Sequence, residues 1–418
     1  ARVEIAETLA ESSQVMAADD VSHMHCICGR NIVIGDHTVH NTDIEYKLLT
    51  INDSGQLLIN GDVKGDAEAG YTLTSGYYFL KELEITEVGT ITIDGNVTLC
   101  LNGGTLKHIG ETGSVIVVNK NSTFTLCDCK NDSGCIKGGK GESVGGGGIF
   151  MDDGNTSETT FNMFGGVIKE NQTDKGGGGG IYCIGDSATI NSKVNIYGGK
   201  IIDNLCSGTG GGINAAYAQV NIFGGSIEEN KAQRGGGINL NNSNIEISNA
   251  SIINNTITDT KYGGGVFGTQ CKVFSISGTV NISGNTDGDE NTSNVFFRTG
   301  LFFDVTGNLE GSSIGITVQS PPTSAKPNPV QVAGGKGYGI TPADWSCFFS
   351  DKDGYEILRK ETTEETDSGK EPRNELWLAL PGSCDLGGLD LSASGATLSP
   401  SPFDPSITEY TSTVANSV

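Results

Sequence analysis

Four of the five histidines fall between His23 and His40, with Cys26 and Cys28 among them. A C-x-C pair followed by H-x-x-H sets soft thiolates beside borderline imidazoles, the donors Zn²⁺ takes in closed tetrahedral sites. We therefore expect Cys26, Cys28, His37 and His40 to hold a structural zinc ion. His23 and His25 are reserve ligands, and Asp36 is placed to orient a histidine. C-x-C is tighter than the usual metal-binding spacing, so a Cys26–Cys28 or longer-range disulfide beside surface histidines is the competing reading. No open coordination position is legible, and the metal is expected to staple the first coil.

Two further constellations recur at regular intervals. Phe164, Tyr197 and Phe223 each precede a Gly pair, and Glu170, Asp203 and Glu229 each precede an Asn. An aromatic column pointing outward at about 4.8 Å per step suits stacking on sugar faces or anchoring a protein partner. The competing expectation is that the rings pack where the strand bends. Stacked carboxylates repel unless protonated or bridged, so they suit Ca²⁺, acid and base work on a polysaccharide, or plain solvation. Lys169, Lys200, Lys231 and Arg234 lie nearby in sequence without forming a cluster. Asp287–Asn291 (DGDEN) and Asp351–Gly354 (DKDG) resemble calcium loops, but neither completes the loop pattern, and turns are expected. The Gly runs lack the Lys-[Ser/Thr] ending of a phosphate loop.

The elements that carry these residues form a repeat. A Gly run closed by an apolar residue steps through Ile149, Ile181, Ile213, Ile238 and Val266, at intervals of 32, 32, 25 and 28. A second motif follows each run: TFNMFGGVIKEN at 160–171, KVNIYGGKIIDN at 193–204, QVNIFGGSIEEN at 219–230, NIEISNASIINN at 244–255 and VFSISGTVNISGN at 273–285. Apolar and polar residues alternate before the Gly pair, as in a half-buried strand. The Gly pair makes a corner, a second short strand follows, and Asn suits the closing turn. Each repeat therefore reads as one coil of a parallel β-helix, stacked on its neighbours with the apolar residues inside.

The spacing predicts which residues stack. Ile168, Ile201, Ile227, Ile252 and Ile282 form one inner ladder, and Met163, Ile196, Ile222, Ile247 and Ile276 another. Asn171, Asn204, Asn230, Asn255 and Asn285 share one turn, where their amides are expected to hydrogen-bond from coil to coil. Less regular strand patterns at 48–130 read as earlier coils, and NVFFR, LFFDV and IGITV between 293 and 319 as later ones. After Pro321 and Pro322 the pattern changes to a Trp345 segment, a charged loop at 360–373 and a final strand, LWLAL, read as a closing cap.

Composition narrows the function. The net charge of −24 at pH 7 repels phosphate backbones and anionic lipid, which makes nucleic acid and bare membrane poor partners. No run of about 18 apolar residues exists. The 62 Gly lack a collagen period. The 11 Cys are too sparse for a disulfide-stapled miniature fold.

HMHCICG at 23–29, CLNG at 100–103 and LCDC at 126–129, followed by the GGG-[IV] and [FY]-GG repeats, resemble a family of surface proteins from gut Gram-positive bacteria. The similarity covers roughly 23–380 and implies an adhesin-like, right-handed parallel β-helix that is extracellular, at the cell surface or secreted. Leu389–Val418 resembles the opening strands of a bacterial cadherin-like β-sandwich, too short for the whole module. The expected organisation is a lead-in at 1–22, a Cys/His-rich cap at 23–47, the helix at 48–335, its C-terminal cap at 336–382 and a partial module or linker at 383–418. The expected whole is a monomeric rod within a longer protein. The leading expectation for function is a non-enzymatic module binding host glycan or a host secreted protein such as mucin or immunoglobulin. A β-helix polysaccharide lyase or glycoside hydrolase and a passive stalk are the rivals.

Overall fold

The computed structural model describes residues 45–381 apart from 67, 142–144, 153–157, 186–189, 272, 362, 367–368 and 373. It also describes the backbone of Ser22–Met24, Ile32–Ile34, His37–Val39, Thr397–Ser399 and Thr411–Thr413. Alternating apolar residues and Gly-led turns wind into an all-β parallel solenoid of about nine turns.

Each regular coil lays one strand on each of three faces. The first face carries Ile149–Asp152, Ile181–Ile184, Ile213–Ala216, Ile238–Asn241, Val266–Thr269 and Val295–Phe297 in parallel register. The second carries Thr160–Met163, Ser192–Ile196, Ala218–Ile222, Asn244–Ser248, Phe274–Ser277 and Phe303–Val305. The third carries Val167–Lys169, Lys200–Ile202, Ser226–Glu228, Ser251–Ile253 and Asn281–Ser283. A short fourth ladder, from Lys140–Gly141 to Thr256–Ile257, follows the Asn turn. In the early coils, Tyr71–Leu80 and Ile91–Cys100 each run unbroken across the first two faces.

Both expected inner ladders form. The isoleucines from Ile168 to Ile282 are fully buried in register on the third face, as are Met163 through Ile276 on the second. Toward the C-terminal end Phe274, Phe297 and Phe303 meet edge-to-face, with centroids 4.9–5.4 Å apart, and fill the core there.

The Asn column is the buried polar spine. Asn204 donates both its backbone N–H and its Nδ2 to Asn230 Oδ1, each at 3.0 Å, and Asn230 donates the same pair to Asn255. The pattern runs from Asn171 to Asn285. Each Nδ2 also reaches an isoleucine carbonyl of the preceding coil, as Asn230 does to Ile201 at 2.9 Å. Every rung thus meets its needs in a dry interior, where an unmet amide is costly. The Gly runs make room for it. A Cβ on Gly212 would lie 2.6 Å from Gly237 O, 2.9 Å from Ile227 Cγ2 and 3.1 Å from Asn230 Nδ2.

At both ends the pairing turns antiparallel. Ser22–Met24 pairs with Glu45–Ile51, which also pairs with Gln56–Ile59. At the other end Val330–Gly335 pairs with Glu375–Ala379, which pairs with Glu356–Lys360. A one-turn helix, Pro342–Trp345, is pinned between them. Asp344 accepts from Leu309 N and Tyr338 Oη, and Trp345 Nε1 donates to Ile357 O. These antiparallel strands occupy the edge that the last parallel coil would otherwise leave open. Of the final segment, the described residues show one antiparallel pair, Thr397–Ser399 with Thr411–Thr413.

Candidate functional site

Alternation along the second face turns three columns outward. Phe164, Tyr197 and Phe223 form one of them, continuing Leu48, Phe79, Cys100 and Cys127 of the earlier coils. Phe164 and Tyr197 stack at 4.6 Å and 9°, and Tyr197 meets Phe223 at 5.7 Å and 39°. The column is not evenly open. Phe164 is only 5% exposed and packs with Tyr46, Phe79, Cys100 and Cys127, whereas Tyr197 and Phe223 are half-buried. Desolvation raises the Tyr197 phenol pKa. Beside it, Asn221 Nδ2 donates to Asn195, and Asn195 Nδ2 to Asn162, at 2.8 and 2.9 Å.

Glu170, Asp203 and Glu229 share one turn position with Asn254, all in the left-handed region at φ +52° to +57°. That backbone throws their carboxylates into solvent, and all three are exposed. Glu170 is bridged by Lys137 at 2.9 Å and Lys169 at 3.2 Å, and the Lys137 hydrogen bond chiefly lowers its pKa. Of the three, Glu170 is the one shown in ion pairs, and all are solvent-exposed.

Of the expected zinc ligands, Cys26, Cys28 and His40 lie outside the described residues. His37 is described only as backbone, in a strand paired with Ile32–Ile34. Among the described residues no group of three His, Cys, Asp or Glu is placed to hold a metal.

The structure instead brings together residues that looked unrelated in sequence. A cleft of about 1070 Å³ lies against the first face near its C-terminal end. Its floor is an outward column, Phe267, Phe296 and Thr317, in parallel register. Tyr262, carried in by the loop ahead of Gly263, meets Phe267 edge-on at 4.8 Å and Phe296 at 6.3 Å. Arg234, from the previous coil, sets its guanidinium 4.4 Å from the Tyr262 ring centroid, within cation–π range. Its Nε is buried with no hydrogen-bond partner among the described residues.

The two acidic loops form the rim. Asp287 caps its own turn, accepting from Asp289 N at 2.9 Å and Asn291 N at 3.0 Å. Asp351 is committed as well. It accepts from Asn294 N at 2.7 Å, Asn294 Nδ2 at 2.6 Å and Thr317 Oγ1 at 2.9 Å. Burial raises its pKa against those hydrogen bonds. Asp289, Glu290, Lys261 and Arg298 remain exposed around the opening. The cleft therefore offers the half-buried rings of Tyr262 and Phe296, backed by a buried Phe267 and edged by charges of both signs.

Sequence reasoning missed this cleft. Arg234 to Arg298 spans three coils, and only the parallel register makes them neighbours. The legible signal was the aromatic at the second position of two successive first-face strands, Phe267 and Phe296. Compared with protein-family models, curated proteins and solved structures, the chain matches none.

Proposed function

We propose that this chain is a non-enzymatic binding rod of the adhesin type, a right-handed β-helix at a bacterial surface or secreted from it. Its ligand is a host glycan, free or carried on a secreted protein such as mucin or immunoglobulin. The observation that carries this reading is Arg234 stacked on Tyr262 beside Phe267 and Phe296 in one cleft. Sugar rings present C–H faces to aromatic rings and hydroxyl pairs to guanidinium and carboxylate groups. A cleft mixing both is suited to an oligosaccharide. Cleavage is less well supported. Asp351, the cleft acid with the raised pKa, already receives three hydrogen bonds from the scaffold.

The test is a glycan array and a panel of secreted host proteins, read with the unaltered chain, Tyr262→Ala and Arg234→Ala. A hit weakened at least tenfold in both variants supports the cleft. A hit unchanged in both, but lost in Tyr197→Ala/Phe223→Ala, moves the site to the second face. A blank on every ligand favours the passive stalk.

A further inference from the structure

Arg234 enters the cleft as a charge without a counter-charge. Its side chain makes no salt bridge and no hydrogen bond among the described residues. Lys261, Arg298 and Lys352 also line the cleft, and every salt bridge among the described residues lies elsewhere on the rod. The cation–π contact with Tyr262, at 4.4 Å, engages the charge and uses none of the guanidinium's N–H donors. One of them, Nε, is shut from water without an acceptor. Arg234 is half-buried, so an anion beside it is screened less than one at an open surface.

The acids of the cleft do not supply that anion. Asp351 accepts from Asn294 N, Asn294 Nδ2 and Thr317 Oγ1, and Asp287 caps its own turn. Asp289, Glu290 and Asp353 stand exposed on the rim. The arginine is also held ready. Gly210 N donates to Arg234 O at 3.0 Å, and Arg234 forms a parallel bridge with Thr209 of the coil before it. A guanidinium fork held in place matches a planar carboxylate through two parallel hydrogen bonds. A phosphate monoester carries nearly twice the charge. It meets more repulsion from the rim acids and from the chain's net charge of −24 than a carboxylate does.

We propose that the cleft selects glycans by a carboxylate-bearing sugar, with the carboxylate on the Arg234 guanidinium and the sugar's C–H face against Phe296. The inference rests on the glycan reading above and names the sugar chemistry within it. A neutral sugar leaves the guanidinium unpaired and so loses the charge-assisted hydrogen bonds that set the preference. Two sources share the chemistry, a terminal nonulosonic acid and an internal uronic acid.

The test titrates the full chain by calorimetry with sialyllactose, its methyl ester and lactose. A second arm compares a glucuronate-containing oligosaccharide with its carboxyl-reduced form. At least one acid should bind about tenfold or more tightly than its neutral counterpart. That preference should shrink as NaCl rises from about 0.05 to about 0.5 M. The arm that shows it identifies the source. Arg234→Gln should bring the acid down to the affinity of the neutral sugar, and Arg234→Lys should recover only part of the difference, having charge without the fork. Should these variants fail to fold, the methyl ester and the carboxyl-reduced form decide on the unaltered chain. The proposal is overturned if acid and neutral sugars bind alike, or if Arg234→Gln keeps the preference. It also falls if a sulfated lactose binds as tightly as the preferred acid. In those cases glycan binding stands and only the carboxylate is lost. Absence of binding by every sugar, acidic or neutral, overturns both this inference and the glycan reading beneath it.

Discussion

Asn294 hands both of its amide donors to a single carboxylate, Asp351, whose two oxygens lie 2.6 and 2.7 Å away. Asn285 donates to Asn294 in the same way as every earlier rung donates to its successor. The amide spine therefore ends on a side chain that only accepts. Gly315 leaves the space for this closure, since a Cβ there would collide with both groups.

Replacing Asp351 should separate its acceptor role from its charge. Its carboxyl has a higher pKa folded than the ordinary aspartate value, so the folded chain holds that proton more tightly. Its favourable contribution is full below the unfolded-state pKa and is lost as pH rises through the folded-state one. Asp351→Asn removes this pH-dependent loss and keeps one acceptor, at a pH-independent cost because its NH2 then faces a donor that the second carboxylate oxygen had accepted from. Its Tm should gain on the unaltered protein as pH rises above the ordinary aspartate range. Asp351→Ala should cost about 2 kcal/mol, because Asn294 is left with unmet buried donors. Parallel Tm-against-pH curves for the Asn variant would contradict the shift.

Mid-rod, Asn230→Ala removes the acceptor for Asn204 and the donor to Ile201 O. The expected loss is about 3 kcal/mol by denaturant unfolding, from buried groups costing roughly 1–3 kcal/mol each. Gly212→Ala should cost about 2 kcal/mol through overpacking against Gly237, Ile227 and the same amide. Because the two sites touch, the double variant should lose less than the sum.

Much of this scaffold was legible because a parallel solenoid turns sequence period into spatial stacking. Ile168 and Ile201 are 33 residues apart and adjacent in space, and the same is true of Asn171 and Asn204. The spine's end was not legible. Asn294 follows Asn285 by nine residues instead of a full coil, and Asp351 sits in a DKDG stretch that reads as a surface turn. The cleft escaped for a related reason. Its wall comes from loops of unequal length, whose paths depend on tertiary packing that no period encodes.

Burial should silence two cysteines. It pushes the thiol of Cys206 up to about 11 and that of Cys271 up to about 12. Little thiolate exists at pH 8. Both should resist alkylation in the native chain and react fully once it is unfolded, as read by mass spectrometry. Rapid native modification of either would contradict their burial.

The aromatic column needs unequal handling in any binding experiment. Phe164→Ala empties a buried position and should cost about 3–5 kcal/mol. Tyr197→Ala and Phe223→Ala, at half-buried positions, should each cost less than half of that by thermal unfolding. Equal losses at all three would mean the ring stack is uniformly buried.

The amide spine also imposes an order on synthesis. Each Asn from 171 onward gives its backbone N–H and one Nδ2 hydrogen bond forward, to a residue that leaves the ribosome later. A nascent rod thus always carries one coil whose interior is unfinished, and only the arrival of Asp351 ends that state. A chain stopped between Asn294 and Asp351 would hold nearly every coil yet leave its last amide donors without the carboxylate that closes the spine.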